Sequence, residues 1–141
     1  MERVKEKLLA QIQSEMPVKG TNLIVIETTD SIEVSFSKMI QILRNNNISI
    51  EDINEQFYSI RTGKEGVKHG QYTLDVYLVQ SSDLTQVKIS GNVQATLLGF
   101  EGVDEIEFKK SKSNLYRATF DQMQEVALSY DGGIVKYYTV E

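Results

Sequence analysis

Two runs of alternating residues constrain the fold of this chain more than any other feature. In residues 72–80 (YTLDVYLVQ), Tyr72, Leu74, Val76 and Leu78 alternate with Thr73, Asp75, Tyr77 and Val79. In residues 85–93 (TQVKISGNV), Val87, Ile89, Gly91 and Val93 alternate with Gln86, Lys88, Ser90 and Asn92. A period of two sends successive side chains to opposite faces of a strand, and the second run in particular reads as one buried face and one wet face. The intervening SSDL, residues 81–84, is a turn. The two runs are therefore expected to form an antiparallel hairpin in a sheet whose second face is at least partly open to solvent.

The rest of the chain supplies further strands and the cover. Residues 23–28 (LIVIET) form a continuous β-branched run, expected as a buried strand. Residues 48–53 and 57–62 read as short strands joined by a turn at Asn54 and Glu55, and residues 105–109 as a weak edge strand. Residues 134–140 read as a last strand. Between residues 28 and 47, Ile32, Phe36, Met39, Ile40 and Leu43 make a helical stripe, with Asp30 placed as N-cap and Glu33 three residues on. The Asn45–Asn47 run suits a helix stop. Residues 115–130 carry Phe120, Met123, Ala127 and Tyr130 on one helical face, and Asp131-Gly132-Gly133 ends them. Val4, Leu8, Leu9, Ile12 and Met16 line up along a third helix over residues 1–16, which Pro17 and Gly20 interrupt. The expected fold is α+β: a two-layer sandwich with a mainly antiparallel sheet of about five to six strands. Two helices pack on one of its faces, and an N-terminal helix is added. Residues 1–20 are read as helix and linker, residues 21–141 as one domain.

Composition excludes several kinds of chemistry. The 141 residues, 40% of them hydrophobic, suffice for a sizeable core. No cysteine is present, which removes disulfides, thiol nucleophiles, zinc–thiolate sites and iron–sulfur clusters. A net charge of −5 argues against generic duplex binding, which relies on an excess of Lys and Arg. No apolar run approaches the length of a membrane span. The charged N-terminus does not read as a signal peptide, so the expected setting is the cytoplasm, or the cell envelope if a leader has been removed.

Residues 60–71 (IRTGKEGVKHGQ) concentrate glycines, basic side chains and the single histidine, His69. The spacing of Gly63, Lys64 and Gly66 is not that of a phosphate loop, and strands rather than a helix flank it, so the stretch reads as a connecting loop. A lone histidine with no nucleophile motif gives no triad. The carboxylates at Glu51 and Asp52, and at Asp104, Glu105 and Glu107, lack the apolar surroundings that would set their pKa values apart for acid–base work. No catalytic, cofactor-binding or metal site is expected, and the chain is read as not an enzyme. Residues 108–117 (FKKSKSNLYR) contain Lys109, Lys110, Lys112 and Arg117 beside Phe108 and Tyr116. That mixture suits single-stranded nucleic acid and carries the alternative function of a nucleic-acid-associated protein. The acidic stretch just before it opposes that reading.

The open face of the sheet is the other candidate. Counting alternation outward places Tyr77, Val79, Lys88, Ser90 and Asn92 there, with Arg61 or Phe57 adjoining. Arg61, Tyr77, Lys88 and Asn92 are the candidate interaction residues, with a protein or a glycan as the partner. Tyr77 and Val79 also fit strand propensity alone.

The layout of residues 21–54, residues 58–63 (YSIRTG), the hairpin of residues 72–93 and residues 116–140 resembles the TATA-binding-protein-like fold. It also resembles a group of small, mostly uncharacterised envelope proteins and lipoproteins of Gram-negative bacteria. The resemblance implies a non-enzymatic binding domain of the bacterial envelope, tethered through a lipidated cysteine upstream. This chain has no such cysteine, and as an acidic chain it differs from the DNA-binding members, whose sheet face is basic and aromatic.

Overall fold

The structure, a computed structural model, describes residues 11–67, 70–95, 102–108 and 114–140. Its centre is the expected hairpin, β6 (Gly70–Ser81) and β7 (Leu84–Ala95), paired along its whole length from Gly70↔Ala95 to Ser81↔Leu84. Ser82 takes the left-handed conformation (φ 52°) that closes the turn. β2 (Leu23–Thr28) lies on the other side of β7, and β9 (Gly133–Val140) lies beside β2. β1 (Gln11–Ser14) pairs with β9 at that edge. On the far side of β6 come β4 (Ser59–Thr62) and the edge strand β3 (Ile50–Asn54). The order is β1-β9-β2-β7-β6-β4-β3, and every pairing is antiparallel.

Because β6 and β7 are twelve residues long, they outrun their central neighbours. Their overhanging ends recruit β5 (Glu65–Val67) on β6 and β8 (Gly102–Glu105) on β7.

One face of this sheet is covered. α1 (Ile32–Asn45) lies on β6 and β7, and α2 (Asn114–Leu128) lies on β2, β5, β6 and β7. Phe36, Met39 and Leu43 of α1, with Phe120, Met123 and Ala127 of α2, meet Ile24, Ile26, Val76, Val87 and Ile89 in the buried core. Beyond β8 the chain crosses to the covered side. Ile106 donates its N–H to Gly91 O (2.9 Å), its side chain is fully buried, and the Phe108 ring packs edge-on against Phe120 at 5.2 Å.

Four expectations are corrected. The sheet has nine strands among the described residues, not five to six, because the β6–β7 overhang and the β9 edge each bind short strands that carry no alternation of their own. Residues 11–14 are not the end of a helix. They form β1, where ladder hydrogen bonds to β9 outweigh a helical spacing of apolar residues. Residues 1–10 lie outside the described residues. The N-cap of α1 is Ser31, whose hydroxyl accepts from the Val34 N–H (3.2 Å), rather than Asp30. Glu65–Val67, read as loop, is strand β5.

Candidate functional site

Among the described residues no helix covers the second face of the sheet, and the registers fix what lies side by side on it. Lys136, Val25, Lys88, Tyr77 and Ser59 form one row across β9, β2, β7, β6 and β4. One step along come Ser90, Asp75 and Arg61, and beyond them Asn92 opposite Thr73. Arg61, Tyr77 and Lys88 are thus neighbours, and Asn92 lies farther along the same face. Val79, also expected here, is on the open face too.

Most charges on this face are engaged. Arg61 Nε bonds Asp75 Oδ1 at 2.9 Å, and Lys136 Nζ lies 2.5 Å from Glu27 Oε1. Gln86 donates to the other Glu27 oxygen at 3.2 Å. The Lys136 ammonium therefore holds the Glu27 carboxyl below its ordinary range, with Gln86 adding to the effect. The Lys88 ammonium stands 5.6 Å from the Tyr77 ring centroid, a cation–π distance. These long side chains shield what lies beneath them. Val25 points to the open side and is nevertheless only 2% exposed.

Four of the depressions among the described residues open on this face. A hollow of about 60 Å³ is bounded by Leu23, Gln86, Lys88 and Tyr138 over Val25. One of about 170 Å³ lies among Asn22, Leu23, Tyr77, Ser90, Glu105 and Val140. A third, about 400 Å³, is framed by Asp52, Ser59, Arg61, Asp75 and Tyr77. The fourth, about 350 Å³, sits on the overhanging ends of β6 and β7, with Lys64 and Val103 at its sides.

The remaining candidates are dispersed. His69, Lys109, Lys110 and Lys112 lie outside the described residues. Arg117 is exposed on α2. The two aromatics of the basic run are occupied: Phe108 packs on Phe120, and the Tyr116 hydroxyl donates to Asp104 Oδ2 at 2.7 Å. Glu51 and Asp52 are exposed on edge strand β3, where charge and a register irregularity discourage pairing with another sheet. Glu105 accepts from Asn22 Nδ2 (3.2 Å), and no group of three metal-binding side chains occurs among the described residues. No helix of the described residues is long and apolar enough to cross a membrane.

A polar cluster missed in the sequence joins α1 to the end of α2. Asp30 Oδ2 accepts from Lys38 Nζ and from the Tyr130 hydroxyl, both at 2.7 Å, and Tyr130 shares a hydrogen bond with buried Ser35 at 3.0 Å. Lys38 also lies 5.0 Å from the Tyr130 ring centroid. Its members come from positions 30, 35, 38 and 130, and no spacing along the chain announces that meeting. Ser35 is fully buried, and through it and Asp30 the Tyr130 hydroxyl ties α1 to the end of α2.

A scan against protein-family models finds no match, and a search of curated proteins finds none either. The functional reading therefore stands on the face itself.

Proposed function

We propose that this chain is a non-enzymatic binding domain whose uncovered sheet face is the recognition surface for a protein or a glycan. The observation that carries the reading is the row Lys136, Val25, Lys88, Tyr77. It sets a cation over a 41%-exposed aromatic ring, with hollows on either side, on a face left bare by both helices. A tyrosine ring supplies a large, rigid contact area at low entropic cost, and tyrosines are enriched in recognition patches. The likeness to small envelope domains supports a place in the bacterial envelope.

Peptide and glycan arrays, probed with the protein and with the Tyr77→Ala/Lys88→Ala double variant, test the reading. A ligand bound by the parent and lost in the double variant, at unchanged circular dichroism and melting temperature, is the expected outcome. No ligand on either array, or a ligand that the folded double variant keeps, overturns it.

A further inference from the structure

On the overhanging ends of β6 and β7, Gln71 lies directly opposite Gln94, and Thr73 opposite Asn92. Opposed side chains in such a ladder start about 5 Å apart, and residues i and i+2 along a strand about 7 Å apart. The result is a two-by-two array of three carboxamides and one hydroxyl on the uncovered face. β5 brings Lys64 to one side of it and β8 brings Val103 to the other, enclosing a depression of about 350 Å³. That volume falls within the range of small-ligand sites, about 300–1,000 Å³.

The array differs from the rest of the face in one respect. Elsewhere Arg61, Lys136, Lys88 and Gln86 are committed to Asp75, Glu27, Tyr77 and Glu27. Here, among the described residues, the side chains of Gln71, Thr73, Asn92 and Gln94 make no hydrogen bond to protein, and Lys64 makes no ion pair. None of the described residues lining the depression is acidic, and the carboxylate of Glu105, which stands opposite Asn92 on β8, is turned to Asn22, whose Nδ2 donates to it.

We propose that this depression binds an acidic saccharide. The inference rests on the reading of the open face as a binding surface and names a ligand for one part of it. Each carboxamide can donate and accept at once, as a sugar's neighbouring hydroxyls do. A single ammonium balances the charge of a single carboxylate, whereas a phosphate monoester carries about −1.5 to −2 at neutral pH. Phosphate sites draw on free backbone N–H groups at a helix N-terminus, whereas the backbone here is spent in the ladder. Val103, 71% exposed, gives an apolar wall for the C–H surface of a sugar ring. An acidic peptide is the competing ligand and is weighed in the test.

Backbone amide shifts of the full chain are followed by NMR during titration with three sets of probes. The first comprises di- to tetrasaccharides of glucuronic, galacturonic and N-acetylneuraminic acid. The second comprises neutral gluco- and galacto-oligosaccharides, and the third a tetraglutamate peptide. The expected result is saturable shifts centred on Gln71, Thr73, Asn92 and Gln94 with at least one acidic saccharide. Neutral analogues should bind at least tenfold more weakly, and Lys64→Gln should lose the same factor while Lys64→Arg recovers most of it. Because Lys64 is exposed, these variants leave the core untouched. Equal binding of neutral and acidic sugars, preference for the peptide, shifts centred elsewhere, or no shifts overturns the saccharide assignment. Array ligands lost on changing Tyr77 and Lys88 would still uphold the broader reading, so the two failures are distinguishable.

Discussion

At the scale of single residues, Gly91 shows how tightly the two layers are fitted. A Cβ built there would lie 2.4 Å from Thr73 O and 2.7 Å from Ile106 Cδ1. The first contact is backbone of the neighbouring strand, which cannot swing away. The second is the fully buried side chain that the crossing segment lays over β7. Gly91→Ala is therefore an overpacking change, expected to lower stability by about 1–3 kcal/mol. Gly66, with nothing within 4 Å of a built Cβ and no positive φ, is the control. Gly66→Ala should change stability by no more than about 0.5 kcal/mol. Urea denaturation of both variants measures the contrast, and equal effects would show that both β6 at Thr73 and the segment around Ile106 yield easily.

At the scale of elements, what the sequence discloses depends on whether the signal is local. The β6–β7 hairpin, the stripe of α1 and the face of α2 each carry their period within their own residues, and the structure has all three. Alternation also places Arg61, Tyr77, Lys88 and Asn92 on the open face, because β4, β6 and β7 keep a regular register there. β1, β5 and β8 have three or four residues each, too few to show a period, and exist because a neighbour offers an unpaired edge. The array at Gln71 and Gln94 was hidden for the same reason: only β5 and β8 bring Lys64 and Val103 beside it. The cap of α1 is a local signal with two adjacent contestants. Asp30 and Ser31 both suit an N-cap, and Asp30 is drawn away by Lys38 and Tyr130. Ser31→Ala should therefore cost about 0.5–2 kcal/mol, since Val34 N–H loses its acceptor. A silent Ser31→Ala in thermal denaturation would return the capping role to Asp30.

At the scale of the whole molecule, the ion pairs and buried tyrosines set the pH range of stability. Lys136, then Gln86, hold Glu27 below its ordinary value of 4.5. Lys38, then the Tyr130 hydroxyl, hold Asp30 below 3.8. A depressed carboxyl contributes stability that is complete above its unfolded value and is lost as pH falls through the folded one. On the alkaline side the signs reverse. Burial pushes Tyr72 up to about 12, and the hydrogen bond to Asp104 does the same for Tyr116. Lys38 and Lys136 are raised by their carboxylate partners. These contributions are complete below the ordinary values and lost as pH rises through the folded ones. The melting temperature should thus be flat between about pH 5 and pH 9 and fall on either side. Glu27 is the group to test, because it ties three central strands: it lies on β2, Lys136 on β9 and Gln86 on β7. Protonating it loosens contacts across the middle of the sheet rather than at an edge. Glu27→Gln removes the titration, so the variant should start less stable at pH 7 and lose less than the parent between pH 5 and pH 2.5. Parallel acid limbs for the two proteins would show that the Glu27–Lys136 pair contributes nothing to acid sensitivity and would leave Asp30 to account for it.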